Sequence, residues 1–191
     1  LTSNLSPLTT PTPVVLDPVM VSTSGHRLMN EDAIETLTSE LIPLATLITP
    51  NLPEAEVLLG EKITDLASAA QKLAERYQVS VLLKAGHLIP YPPTPLHQAI
   101  GRYTQLQLTD TLYDYTEKRM YAYPHPRVET KNTHGTGCTL SSAIASQLAK
   151  GLPLNDAIGA AIDYLEGALL SAKNDVLGHG FGPVDHFFAQ K

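Results

Sequence analysis

The chain has 191 residues, 43% of them apolar, with 13 Lys and Arg against 19 Asp and Glu for a net charge of −6. That length suits one domain, residues 1–191, with a real core, and the acidic balance argues against a nucleic-acid surface. A single cysteine excludes an internal disulfide and a cysteine zinc site and fits a reducing, cytoplasmic compartment, and no apolar run reaches membrane-spanning length.

Leu1 to Pro13 is rich in Ser, Thr and Pro without a basic residue, so it does not read as a signal peptide. Val14-Val15-Leu16 then ends in Asp17-Pro18, a short buried strand presenting an acid at its carboxyl end. In open α/β sheets the ligand crevice lies at such ends, which makes Asp17 a site candidate; an Asp capping a turn is the plainer alternative. Asn30 is placed to cap a helix with Ala33, Ile34, Leu37 and Leu41 on one face.

Leu47-Ile48 ends a second strand at Thr49-Pro50-Asn51, and Pro53, Glu54 and Glu56 open a helix. Asn51 and Glu54, three apart across the junction, can face the same crevice as Asp17. An amide and a carboxylate there suit hydrated magnesium, while helix capping explains the same spacing. Asp65 to Tyr77 is an amphipathic helix with Leu66, Ala69, Ala70 and Leu73 inward, and Val79 to Leu83 is a third strand ending in Lys84. A lysine buried alone is costly, so Lys84 is expected to reach the crevice or an acid. Three repeats of strand, polar end and helix argue for a three-layer αβα fold with a mostly parallel sheet.

Four prolines, at 90, 92, 93 and 95, interrupt this rhythm, and residues 89–108 read as a surface loop. Thr111 to Tyr115 and Met120 to Tyr123 alternate as a hairpin around Thr116-Glu117-Lys118. Thr130 to Cys138 follows, polar and glycine-punctuated, running into the helical pattern Leu140 to Ala149. A glycine-rich turn that opens a helix leaves backbone N–H groups free for an anion. Cys138 lies in the first turn, where the same field favours a thiolate. A helix capped by Thr136 or Thr139, with a small buried cysteine, is the alternative. Lys150-Gly151 ends that helix, and Leu154 to Leu170, opened by Asn155 and Asp156, is the last.

Five segments appear in order: Asp17 to Val21, Thr49 to Glu56, Leu83 to His87, Lys131 to Cys138 and Gly178 to Phe187. Together they resemble the hydroxymethylpyrimidine/phosphomethylpyrimidine kinases of thiamine biosynthesis, in the ribokinase-like superfamily. Cys138 stands where most ribokinase-like enzymes, including many pyridoxal kinases, have aspartate. The resemblance implies ATP-dependent phosphoryl transfer to a small pyrimidine, with magnesium. Gly135, Thr136, Gly137 and Cys138 would form the anion hole for the transferring group, and Cys138 would take the substrate hydroxyl proton. Lys84, Asn51 and Thr133 would contact nucleotide. Asp17, Asn51 and Glu54 would serve the metal, and Val19, with Asp17, the pyrimidine.

Members of that family begin with further strand and helix units ahead of the Asp-Pro-Val motif. The resemblance therefore implies an N-terminally incomplete fold, completed by a companion chain or belonging to a longer protein, and a homodimer. Two other readings stay open: a pyridoxal-type vitamin kinase, and a non-catalytic nucleotide-binding fragment.

Overall fold

The computed structural model describes residues 12–21, 28–84 and 107–190. Strands β1 (Val15–Leu16), β2 (Leu47–Ile48) and β3 (Ser80–Leu83) run parallel and adjacent. β4 (Gln107–Asp114) pairs antiparallel with β3, and β5 (Arg119–Pro126) pairs antiparallel with β4. The sheet is therefore mixed, in the order β1-β2-β3-β4-β5. Successive side chains of a strand point to opposite faces, and this alternation divides the core. Leu47, Leu82 and Leu112 pack beneath α4 (Thr136–Ala149) and α5 (Leu154–Ala172). Ile48, Val81, Leu83 and Tyr113 pack beneath α2 (Leu52–Leu59) and α3 (Leu66–Tyr77). Both faces are thus covered, giving the layered α/β architecture expected from the repeated strand-helix pattern. Leu82 is fully buried, and its truncation to Ala would cost roughly 2–5 kcal/mol.

Local chemistry sets the ends of the helices. Asn30 caps α1 (Glu31–Thr36), its Oδ1 accepting the Ala33 N–H at 2.8 Å. The chain then widens into a π turn, Leu37–Leu41, and a 3-10 turn, Ile42–Leu44, instead of continuing as one α-helix. The Ile42 N–H reaches back to the Leu37 carbonyl, which puts these two buried side chains on one face. Ala33, expected on that face, is exposed. Asp65 caps α3 through the N–H groups of Ala67 and Ser68. α4 is capped by Gly135 at φ 83, not by Thr136 or Thr139, and no side chain takes a capping hydrogen bond there. Lys150 and then Gly151, at φ 87, close it. α5 begins at the expected Leu154, directly after Pro153, and runs two residues past the expected Leu170.

The hairpin is longer than its alternation suggests. Gln107 and Leu108, read from sequence as the end of the proline-rich loop, open β4 because their partners Pro126 and His125 continue the ladder. The remainder of the 89–108 stretch lies outside the described residues, as do Ala85, Gly86 and His87. The turn itself is held by Asp114, whose Oδ1 accepts the N–H groups of Thr116 at 2.8 Å and Glu117 at 3.0 Å.

Candidate functional site

Because β1, β2 and β3 are parallel, their carboxyl ends meet on one edge of the sheet. Asp17 follows β1, Thr49 and Asn51 follow β2, and Lys84 follows β3. The Lys84 ammonium lies 2.9 Å from Asp17 Oδ1, with both side chains largely buried, at 14% and 13% exposure. Thr49 Oγ1 donates to the same oxygen at 3.1 Å. A lysine at the end of an apolar strand thus finds its acid on another strand. Lys84 also bridges Asn51 in the parallel direction, and its N–H bonds the Pro50 carbonyl.

Asn51 and Glu54 form a reciprocal capping box at the start of α2. Asn51 Oδ1 accepts the Glu54 N–H at 2.9 Å, and Glu54 Oε2 accepts the Asn51 N–H at 2.9 Å. Glu54 does more than cap: its Oε1 accepts the N–H of Met20, on the loop after β1, at 3.2 Å. The residue is 2% exposed. Burial raises its carboxyl above the usual carboxylate range, while the backbone donors and the Lys84 charge work in the opposite sense. Immediately before Met20, Val19 has φ 41 and a side chain that is 43% exposed. A left-handed β-branched residue is rare and strained.

The glycine-rich turn comes down on this cluster from the other face of the sheet. A Cβ on Gly137 would sit 3.2 Å from Asp17 Oδ2 and 3.5 Å from Lys84 Nζ. A side chain at this position would press on the ion pair, and the Asp17 carboxylate would have to give by a few tenths of an ångström. Among the described residues, no hydrogen bond leaves the N–H of Gly137 or Cys138. Cys138 is exposed. Fixed backbone donors, a helix N-terminus and a lysine therefore converge, an arrangement that suits the oxygens of a phosphoryl group. Gly135 supplies the left-handed cap, and Thr136 begins the helix behind it.

Thr133 stands ahead of the turn. Its N–H bonds the Lys131 carbonyl and its own carbonyl receives the Thr136 N–H. Among the described residues no hydrogen bond joins it to Lys84 or Asn51.

Sequence reasoning passed over the residues that hold the turn in place. Buried Asn132 donates through Nδ2 to the carbonyls of Ala172, at 2.6 Å, and Asp175, at 2.8 Å. The His134 N–H bonds the Gly182 carbonyl, and Thr139 Oγ1 lies 3.0 Å from His186 Nε2. The Gly178 to Phe187 tail therefore anchors the turn. A Cβ on Gly182 would lie 2.0 Å from Asn132 Oδ1, so that glycine is required sterically. Thr49 was overlooked as well, although a hydroxyl between an apolar strand and a proline was a signal. A cleft of about 410 Å3 opens beside Asn132, lined by Ala172, Val176, Leu177, Pro183 and Val184 together with the acids Asp175 and Asp185.

Among the described residues no cluster of three or more His, Cys, Asp or Glu side chains could hold a metal on its own. No helix among them is long and apolar enough to cross a membrane.

The chain is similar to known proteins in sequence and fold. The family described as phosphomethylpyrimidine kinase matches residues 2–185. The hydroxymethylpyrimidine/phosphomethylpyrimidine kinase of Rhizobium meliloti is 41% identical over 177 residues, which cover 91% of this chain and 60% of that protein. A crystal structure of phosphomethylpyrimidine kinase from Clostridium difficile is 33% identical with a TM-score of 0.64, over 83% of this chain and 58% of that one. The pyridoxal kinase of Staphylococcus aureus in complex with ADP is 28% identical with a TM-score of 0.72, over 94% and 60% respectively. The chain thus spans about 60% of the length of the curated relative it matches. With a family match over nearly its whole length, and with the strand-end and glycine-turn motifs assembled on one edge of the sheet, the chain belongs to the phosphomethylpyrimidine kinase family.

Proposed function

We propose that the protein transfers the γ-phosphoryl group of ATP to hydroxymethylpyrimidine and to its monophosphate, as a step in thiamine biosynthesis. The approach of Gly137 to the Asp17–Lys84 pair supports this reading best, because backbone donors beside a cation suit the charge that develops in phosphoryl transfer. The N–H groups of the Gly135–Cys138 turn hold the transferring oxygens. Cys138 Sγ takes the proton of the substrate hydroxyl, whose oxygen forms the new bond to the γ-phosphorus as the bond to the β–γ bridging oxygen breaks and ADP leaves. Lys84 meets the nucleotide phosphates, with Asn51 and Thr133 on the nucleotide side. Val19, on the loop beyond Asp17, contacts the pyrimidine.

Magnesium fits the donors present. Asp17 Oδ2 takes no hydrogen bond among the described residues, since Lys84 and Thr49 both bind Oδ1. Asn51 and Glu54 offer further oxygens, though each already accepts a backbone N–H, so they would reach the ion through water. When bound, the ion would neutralise phosphate charge. With so few protein oxygens it would keep several waters. We further propose a cytoplasmic homodimer or a companion chain, and one kinase domain across residues 1–191.

Pyridoxal-type activity is the second reading, favoured by the likeness to the Staphylococcus aureus pyridoxal kinase. Competition between acceptors tests the choice. With the intact protein, magnesium and ATP, we expect phosphorylated hydroxymethylpyrimidine by mass spectrometry, in preference to pyridoxal phosphate. The reverse preference would establish the second reading. ATP binding without either product would mark a non-catalytic module.

A further inference from the structure

We propose that Glu54 is a positioning residue for the acceptor: its carboxylate clamps the loop after β1 and holds Val19 in the left-handed conformation from which it meets the pyrimidine. The proposal rests on the reading of Val19 as an acceptor contact. A capping box needs only one carboxylate oxygen, and Glu54 Oε2 fills that role with the Asn51 N–H. Oε1 is committed elsewhere, to the N–H of Met20, which lies 34 residues away in sequence. One side chain therefore joins the loops that leave β1 and β2.

The peptide units on both sides of Met20 are fixed. Its N–H goes to Glu54, and its carbonyl accepts the Leu28 N–H at 2.9 Å. Its side chain is fully buried. Pro18, on the other side, has a ring-locked φ. Val19 is the one residue between these anchors, and it carries the strain, at φ 41. Such a conformation persists only where the surroundings over-determine it. The Val19 side chain is the outward-facing product of that clamp, at 43% exposure between buried Pro18 and buried Met20. Glu54 itself, at 2% exposure, touches the site through this loop.

The test separates clamping from service to a metal. Variants Glu54→Gln, Glu54→Ala and Val19→Gly, and the Glu54→Gln/Val19→Gly double variant, are compared with the wild type in the intact protein. Amide exchange at Met20 reads the clamp, with the Thr49 N–H, bonded to the Leu16 carbonyl, as internal control. Equilibrium titrations read hydroxymethylpyrimidine, ATP and magnesium separately. Glu54→Gln replaces one acceptor oxygen by a donor, so one of the two backbone bonds is lost; Glu54→Ala loses both. We expect Met20 exchange to rise about tenfold or more in Glu54→Ala while Thr49 is unchanged. Acceptor affinity should fall about tenfold in Glu54→Ala, and in Glu54→Gln when exchange shows the Met20 bond to be the one lost, with ATP affinity lowered by less than about twofold.

Glycine adopts positive φ without strain, so in the Val19→Gly background the loss from Glu54→Gln should shrink, a non-additive cycle. Unchanged Met20 exchange in Glu54→Ala would overturn the proposal. So would unchanged acceptor affinity together with a raised magnesium requirement, or an additive cycle. Should Glu54→Ala not fold, Met20 and Asn51 exchange in Glu54→Gln carries the same test. A wild-type protein that binds no pyrimidine would refute the acceptor half of the proposal and the functional reading on which it rests, while Met20 exchange would still decide the clamp.

Discussion

Two regions of this molecule bury carboxylates, and they use them differently. In the β4–β5 hairpin, Asp114 is 5% exposed and spends its Oδ1 on the N–H groups of its own turn. Nearby Asp110 faces His125 across the ladder at 3.6 Å. At the carboxyl ends of β1–β3, Asp17 is paired with a lysine 67 residues away and turns its second oxygen toward Gly137. The hairpin acids serve their own turn and side chains of the adjoining strands, Ser80 on β3 among them at 3.5 Å from Asp114 Oδ1, which is the chemistry of a well-made turn. The strand-end acid joins three chain segments and faces a glycine turn, which is the chemistry of a site. Burial alone does not mark function, nor does a partner remote in sequence; an ion pair with an oxygen turned toward a glycine turn does.

That contrast breaks most visibly under substitution. Cys138→Ala in the intact protein should lower turnover by about a hundred- to ten-thousandfold, the range for a lost general base, with ATP binding nearly intact. Asp114→Ala should leave turnover unchanged, so steady-state kinetics on the two variants separates the regions. Lys84→Met leaves the Asp17 carboxylate with Thr49 alone and should destabilise by about 3 kcal/mol, as for a broken buried pair. Urea unfolding measures it, and Asp17→Asn combined with Lys84→Met should recover part of the loss.

Gly182→Ala sharpens the picture from the tail side. The added methyl collides with Asn132, and overpacking of this kind costs about 2 kcal/mol. Thermal melts read that cost, and a fall in turnover beyond it would show that the tail positions the turn. The smallest effect belongs to the hairpin. Burial lowers the His125 pKa, but the Asp110 carboxylate outweighs it and the net shift is upward from 6.5. The folded state thus binds the proton more tightly than the unfolded chain. This contribution is fully present below pH 6.5 and fades as pH rises through the folded pKa. His125→Asn should therefore flatten the pH dependence of stability by at most about 1 kcal/mol.

Much of the site is legible in the sequence, for a physical reason. Apolar runs that end in a polar residue mark strand ends, so Asp17, Asn51 and Lys84 could be placed on one edge once a parallel arrangement was inferred. The turn at Gly135 and Gly137 announced itself through glycines and the helical pattern beyond. Other features depend on contacts remote in sequence. Nothing in Val19 signals φ 41, which follows from anchors at Met20. Nothing in Asn132 signals that it binds the end of α5. The π turn at Leu37–Leu41 defeated a strict 3.6-residue reading, because packing moved Ile42 into register with Leu37. The hairpin ran past its alternation into Pro124 and Pro126, residues that usually argue against a strand, and prolines are tolerated at a sheet edge such as β5.

The claim on which the account stands is that Gly137 lets the helix N-terminus meet the Asp17–Lys84 pair and so stabilises the transferring phosphoryl group. Single-turnover phosphorylation of hydroxymethylpyrimidine by the intact protein, wild type against Gly137→Ala at saturating ATP, tests it most directly. The N–H donor stays, but the added methyl presses on the Asp17 carboxylate and misplaces the pair, so the rate should fall by up to about a hundredfold, with ATP affinity changed far less. A Gly137→Ala protein that turns over at the wild-type rate would contradict it.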